Sequence, residues 1–239
     1  MGSDENSNWS VLGSDSSVYT HNVCKGLAKA SPIQCPDRMR IAAEEPRNVQ
    51  EILAFWKYAR KLPVVVKVKT PSADTDPYYP PKDGTVREFG EGDNKIVVEC
   101  VSFLKHEQHP ITRRTLKIGA DIVHHIQVDW KDGFGLDVNI LSALIQMVAD
   151  LEDAHPGETL VHCTLGLGRT GTFVACQIIK ALIESVTDIQ ELKGLSLNLE
   201  ELLRTLRQKR SCMIQHEDQL FTILEYTAKV VRERFMQLG

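Results

Sequence analysis

The sequence predicts an α/β fold, and three observations predict it. Val64-Val65-Val66-Lys67-Val68 is a continuous apolar run of strand length, the mark of a strand covered on both faces. Leu141, Leu144, Ile145, Val148 and Leu151 recur at helical spacing, as do Leu199, Leu202, Leu203 and Leu206. Between such segments, Thr159, Leu160 and Val161 are β-prone and apolar, and helical spacing resumes at Phe173, Val174, Ile178, Ile179 and Leu182. A chain of 239 residues suffices for one substantial α/β domain or two small ones.

In chain order, residues 1–20 are rich in Ser, Asp, Asn and Gly and read as a flexible leader, with one domain over 21–239. Val23 to Pro46, with Pro32, Pro36 and Pro46, reads as irregular. Asn48 is an N-cap for a helix through Val49, Ile52, Leu53, Phe55 and Trp56, with Trp56 packed in the core. The Val-rich strand follows. Thr85 to Phe103 reads as two strands split at Gly90-Glu91-Gly92-Asp93-Asn94, and Thr112–Ile118 and Ile122–Val128 as two more. The helix over 141–151 is broken by His155-Pro156-Gly157, and a strand runs into Cys163. A long helix from about Thr170 to about Ser185, an amphipathic helix over Leu197–Arg210 and a last helix over Leu220–Met236 complete the domain.

Composition narrows the function classes. The hydrophobic fraction is 42%, the charged fraction 25% and the net charge −4, which fits a globular protein without a basic surface for nucleic acid. No apolar run reaches the roughly 18 residues of a membrane span, and no signal-peptide pattern opens the chain. Met1-Gly2 is followed by Asn6 where N-myristoylation wants Ser or Thr. The cysteines at 24, 35, 100, 163, 176 and 212 have no paired spacing, which points to a reducing, cytoplasmic compartment.

The chemistry concentrates in Val161-His162-Cys163-Thr164-Leu165-Gly166-Leu167-Gly168-Arg169-Thr170-Gly171. Glycines let successive N–H groups turn into one hollow, and a helix N-terminus adds partial positive charge to it. Arg169 supplies a planar fork that matches phosphate oxygens. A thiol at the base of such a hollow ionises readily, because a helix N-terminus and a cation both favour the thiolate. Cys163 therefore reads as a nucleophile aimed at a bound phosphoryl group. The plainer alternative is a buried Cys in a Gly-rich turn.

On His162-Cys163, five residues, Arg169, Thr170 and Gly171, the chain resembles the cysteine-dependent protein tyrosine phosphatases, and the likeness runs from about residue 38 to 230. It implies a highly twisted mixed β-sheet flanked by helices on both sides, with this loop at the sheet's C-terminal edge. It implies that Cys163 is the nucleophile and that Thr164, Leu165, Gly166, Leu167, Gly168 and Arg169 hold phosphate. Thr170 would help the thiolate leave, and His162 would support the loop through a hydrogen bond. Trp130-Lys131-Asp132 is similar to the family's Trp-Pro-Asp loop, which makes Asp132 the general acid and base, with Trp130 in support and Asp129 and Asp137 as fallbacks. Lys131 stands where the family has Pro, which removes a φ restraint from the loop. Met213-Ile214-Gln215-His216-Glu217-Asp218-Gln219 is similar to the family's glutamine loop: Gln215 would position water and Gln219 would assist.

Other stretches match or depart from the family. Met39 to Pro46 resembles a short strand and turn, and Tyr78-Tyr79-Pro80 resembles its Tyr-Trp-Pro. Family members carry Glu and Lys where this chain has Ser72-Ala73-Asp74-Thr75-Asp76, and Gly where it has Cys212, which narrows a side pocket for the substrate ring. Arg207 and Arg210 match an Arg-x-x-Arg ahead of the glutamine loop, although such residues are usually a solvated face. No Asn-Arg-Tyr loop is found around Lys29-Ala30-Ser31-Pro32, and in this the chain resembles phosphatases that pathogenic bacteria deliver into host cells. The implied function is hydrolysis of phosphotyrosine in partner proteins by a monomer that binds phosphate or other oxyanions and needs no cofactor or metal. Two other readings stay open: a catalytically weak phosphotyrosine-binding module, and a phosphoinositide phosphatase.

Overall fold

A computed structural model describes Leu27, residues 29–70 and residues 78–239. The leader over 1–20, Cys24 and the Ser72–Asp76 stretch lie outside the described residues.

Strands β1 (Ala30–Gln34), β2 (Met39–Glu44), β3 (Val64–Val68), β4 (Val86–Phe89), β5 (Ile96–Lys105), β6 (Ile111–Ile118), β7 (Asp121–Val128) and β8 (Thr159–Cys163) form one sheet in the order β1-β2-β8-β3-β7-β6-β5-β4. β2, β8, β3 and β7 run parallel; β1 pairs antiparallel with β2, and β6, β5 and β4 extend β7 antiparallel. The sheet is thus mixed, as expected. The helices are α1 (Val49–Ala59), α2 (Val138–Ala154), α3 (Gly168–Glu184), α4 (Ile189–Gly194), α5 (Leu199–Lys209) and α6 (Glu217–Leu238).

The Val-rich run is β3, and its residues divide between two cores. Val64, Val66 and Val68 face the side covered by α2, α3 and α6, and Val65 faces the side covered by α1. A strand buried on both faces needs apolar residues throughout, which is why its sequence does not alternate. β8 behaves alike: Val161 and Cys163 join the first core and Leu160 the second. Trp56 packs in the second core and its Nε1–H donates to the Tyr78 carbonyl at 2.6 Å.

The segment from Val23 to Pro46 corrects the irregular reading. Residues 30–34 are a strand, and Pro32 is tolerated there because β1 is the sheet's edge, while residues 39–44 are the short strand that the family likeness implied. The helix after Cys163 starts at Gly168, ahead of Thr170, so Arg169 sits in its first turn. α4 was not foreseen; its six residues are too few to show a period.

Four parallel strands end at one edge. The residues that follow them, Glu45 after β2, Lys69 after β3, Trp130 and Asp132 after β7 and the loop after Cys163, meet there. Such an edge is where open α/β sheets bind ligands.

Candidate active site

The loop between β8 and α3 is shaped by where its carbonyls go. Thr164 O accepts from Glu45 N at 3.1 Å, and Leu167 O from Gly171 N at 2.9 Å and Ile214 N at 3.3 Å. Leu165 O and Gly166 O accept from the Arg210 guanidinium at 2.8 and 2.9 Å. In a trans peptide the following N–H points opposite its carbonyl. With all four carbonyls held outside, the N–H groups of Leu165, Gly166, Leu167 and Gly168 turn to the opposite side, into one concave cradle beside the α3 N-terminus.

Arg169 joins this cradle to the loop after β7. Its side chain is 3% exposed, and its Nη2 donates to Thr164 Oγ1 at 2.9 Å and meets Asp132 Oδ1 at 2.9 Å. Its Nη1 donates to the Trp130 carbonyl at 2.9 Å. Trp130 is buried, and its indole N–H donates to Phe134 O at 2.9 Å, closing the turn that carries Asp132. Lys131, in place of proline, lays its ammonium 4.3 Å from the Phe134 ring centroid. Of the fallbacks, Asp137 caps α2 by accepting from Asn139 N and Ile140 N. Asp129 is exposed, whereas Asp132 is the carboxylate on Arg169.

The glutamines lie on the far side of the cradle. Gln219 is buried, and its Oε1 accepts from the backbone N–H of Gln215 at 2.8 Å and of His216 at 3.3 Å. A Cβ placed on Gly168 would stand 3.1 Å from Gln215 Oε1 and 2.7 Å from Gln219 Nε2, so both side chains pack on the loop. Thr170 Oγ1 is buried at the cradle's helix end with no partner among the described residues.

Beneath Cys163 the sheet carries buried polar groups. The Tyr78 hydroxyl lies 2.5 Å from His162 Nε2 and 2.9 Å from His125 Nε2, and His162 Nδ1 lies 3.3 Å from the Cys163 carbonyl. Burial pushes His162 down to about 3 against the opposing pull of Glu45, and burial holds His125 well below its ordinary value with Arg114, His162 and Lys67 adding to it. Glu45 bonds Lys67 at 2.7 Å and also Lys69. Burial would raise its carboxyl, but Lys67, His162 and Lys69 together hold it below the usual range. Both imidazoles titrate lower folded than unfolded, so below about pH 6.5 the unfolded chain binds protons that the folded chain refuses. Stability is therefore complete above that pH and lost as pH falls through it. Two such groups remove about 2–3 kcal/mol between pH 7.5 and 5.5, read by urea unfolding at the two pH values; an unchanged midpoint would contradict it.

The sequence had assigned several of these jobs only in part. Arg210, noted for the Arg-x-x-Arg likeness without a role, is 4% exposed and holds two cradle carbonyls, and Arg207 donates to Met213 O and Ile214 O at 3.0 and 2.9 Å. Glu45, Lys67 and His125 were not singled out; a Lys inside a Val run and adjacent histidines in a buried strand were the available signals. Cys212, where the resemblance implied Gly, has φ +60, a left-handed conformation that costs an L-residue about 1–2 kcal/mol. Cys212→Gly is expected to stabilise the chain by about 1 kcal/mol in thermal or urea unfolding; a loss of stability would show that the thiol's packing outweighs the strain. Burial pushes the thiols of Cys35, Cys100 and Cys176 up, which disfavours them as nucleophiles.

Comparison with known proteins bears on the family and the fold. The family model described as protein-tyrosine phosphatase matches residues 19–229. Receptor-type tyrosine-protein phosphatase C of Homo sapiens is 26% identical over 198 residues, 78% of this chain and 14% of that protein. Tyrosine-protein phosphatase 2 of Dictyostelium discoideum is 28% identical over 181 residues, 70% of this chain and 46% of that protein. The chain thus spans well under two thirds of the length of these curated relatives. The crystal structure of a Trypanosoma brucei protein tyrosine phosphatase superposes with TM-score 0.70 at 19% identity, over 87% of this chain and 76% of that one. That of Trypanosoma cruzi gives 0.66 at 20% identity, over 84% and 71%. At these identities the structural likeness speaks for the fold. No helix among the described residues is long and apolar enough to cross a membrane.

Proposed function

Because the chain belongs to the protein-tyrosine phosphatase family, we propose that it hydrolyses phosphotyrosine in protein substrates through a cysteinyl-phosphate. The observation that carries this reading is the buried Arg169 fork, which ties the Cys163 loop to the Asp132 loop in one hollow.

The steps follow from the residues. The phosphate dianion sits in the N–H cradle of residues 165–168 with Arg169 on its oxygens, and charge developing in the transition state meets fixed donors. The Cys163 thiolate attacks phosphorus in line, the P–O bond to the ring breaks, and Asp132 gives its proton to the leaving phenolate oxygen. Water held by Gln215 then attacks the phosphocysteine, Asp132 takes a proton from it, and the P–S bond breaks. Thr170 Oγ1, buried without a partner among the described residues, is free to donate to the departing thiolate. Gln219 acts through the Gln215 and His216 backbone that it holds. The positive charge comes from Arg169 and the amides. Thr164 to Gly168 include no Lys or Arg to meet the extra phosphates of an inositol lipid, which favours the protein substrate.

The test is turnover of para-nitrophenyl phosphate and a phosphotyrosine peptide, with acid quench during the steady state. The expected result is a single phosphoryl adduct on the peptide containing Cys163. Asp132→Asn should slow peptide hydrolysis by about 100-fold and slow the better nitrophenolate leaving group less. An inert wild type that still binds the peptide would make the chain a phosphotyrosine-binding module.

A further inference from the structure

Tyr78 has one hydroxyl proton and two imidazole nitrogens within reach, His162 Nε2 at 2.5 Å and His125 Nε2 at 2.9 Å. One bond is donated by the hydroxyl and the other is received by it. The surroundings decide which. His162 Nδ1 faces the Cys163 carbonyl at 3.3 Å, an acceptor, so Nδ1 carries the proton. Its ring is neutral near pH 7, because burial pushes it down to about 3, so its Nε2 is bare and accepts the Tyr78 proton. His125 is then left to donate from Nε2 to the Tyr78 oxygen, and its Nδ1 is bare. This agrees with a separate observation: His125 Nδ1 is buried with no partner among the described residues.

We propose that His125 is a positioning residue of this site, whose Nε2–H sets the direction of a hydrogen-bond chain running through Tyr78 and His162 to the Cys163 carbonyl. The proposal rests on the phosphatase reading for its consequence, since the chain ends on the nucleophile's own peptide. Each bond in such a series polarises the next. With His125 donating, the Tyr78 proton is a better donor to His162, and His162 Nδ1–H a better donor to Cys163 O. That holds the peptide from which the cradle starts. Other groups surround His125: the Tyr79 ring lies 4.3 Å away between centroids, and Arg114, Lys67 and His162 each disfavour its cation. Arg114 in turn donates to Gln127 Oε1 at 3.3 Å, and Tyr79 to the same oxygen at 2.9 Å. His125 therefore acts as a neutral donor.

The experiment has two readouts that do not need turnover. The first is the nitrogen NMR of the histidine rings in the full chain at pH 7, assigned with His125→Gln. His125 should carry its proton on Nε2 and His162 on Nδ1; the opposite tautomer at either ring overturns the proposal. The second is the pH dependence of iodoacetamide labelling at Cys163, followed on its peptide by mass. His125→Phe should slow labelling at pH 6 by about three- to tenfold, the size of one neutral hydrogen bond. His125→Gln, whose amide N–H has a similar reach, should stay within about twofold of wild type. In a Tyr78→Phe background, His125→Phe should change labelling no further. Equal slowing in both backgrounds would mean that His125 merely packs, and the proposal fails. If aryl phosphate is not hydrolysed at all, the phosphatase reading falls, while the tautomers and the labelling cycle still decide the role of His125.

Discussion

Arg169→Lys is expected to lower kcat/KM for a phosphotyrosine peptide by about 10³- to 10⁴-fold, the range for an arginine that neutralises a transferring phosphoryl group. The reason lies in what the fork does at once. One guanidinium reaches the Trp130 carbonyl with Nη1 and both Thr164 Oγ1 and Asp132 with Nη2. A lysine ammonium is a point charge that cannot span these positions and present two parallel donors to phosphate. On the proposed mechanism the substitution removes phosphate binding and also the link that seats the Asp132 loop. Steady-state kinetics and vanadate inhibition measure both: each should weaken, kcat more than KM. A loss below tenfold would mean that Arg169 is structural and the cradle amides suffice.

Gly166→Ala is expected to cost about 3–5 kcal/mol of stability, from a left-handed backbone and an overpacked contact acting together. Gly166 has φ +69, and a Cβ there would stand 2.1 Å from the Ala43 carbonyl oxygen, a backbone atom of β2 that cannot swing aside. Gly84 provides the control. Its φ is +68 with nothing within 4 Å of the added carbon, so Gly84→Ala should cost only about 1–2 kcal/mol. The difference between the two urea midpoints isolates the clash. If the two substitutions cost the same, the close approach of the loop to β2 is not rigid.

What the sequence disclosed follows from distance along the chain. The cradle was legible because Cys163 to Gly171 is one continuous strand–loop–helix, and its glycines, Arg and thiol each carry a local physical meaning. β3 was legible because burial on both faces leaves a run of valines. β1 was hidden by Pro32 and Pro36, since proline marks irregular chain far more often than an edge strand. Arg210 stood out only through the Arg-x-x-Arg likeness, because its partners, Leu165 O and Gly166 O, are backbone atoms with no side-chain signature. Tyr78 was noticed for its motif, but its link to His125 and His162 exists only once β7 and β8 flank β3.

The strand order also bears on how the molecule acquires its chemistry. β8 is flanked by β2 and β3, with Ala42 opposite Val161 and Val65 opposite Leu160, pairs far apart along the chain. Long-range parallel pairing closes late, because its loop entropy is spent before its contacts form. Helices α2 to α6 can form while the thiol still has no cradle around it. On dilution from denaturant, selective labelling of Cys163 should then trail the return of helical circular dichroism. On the proposed function, turnover would report the completed sheet, and a preparation judged folded by its helix content alone would lack working sites until β8 is paired.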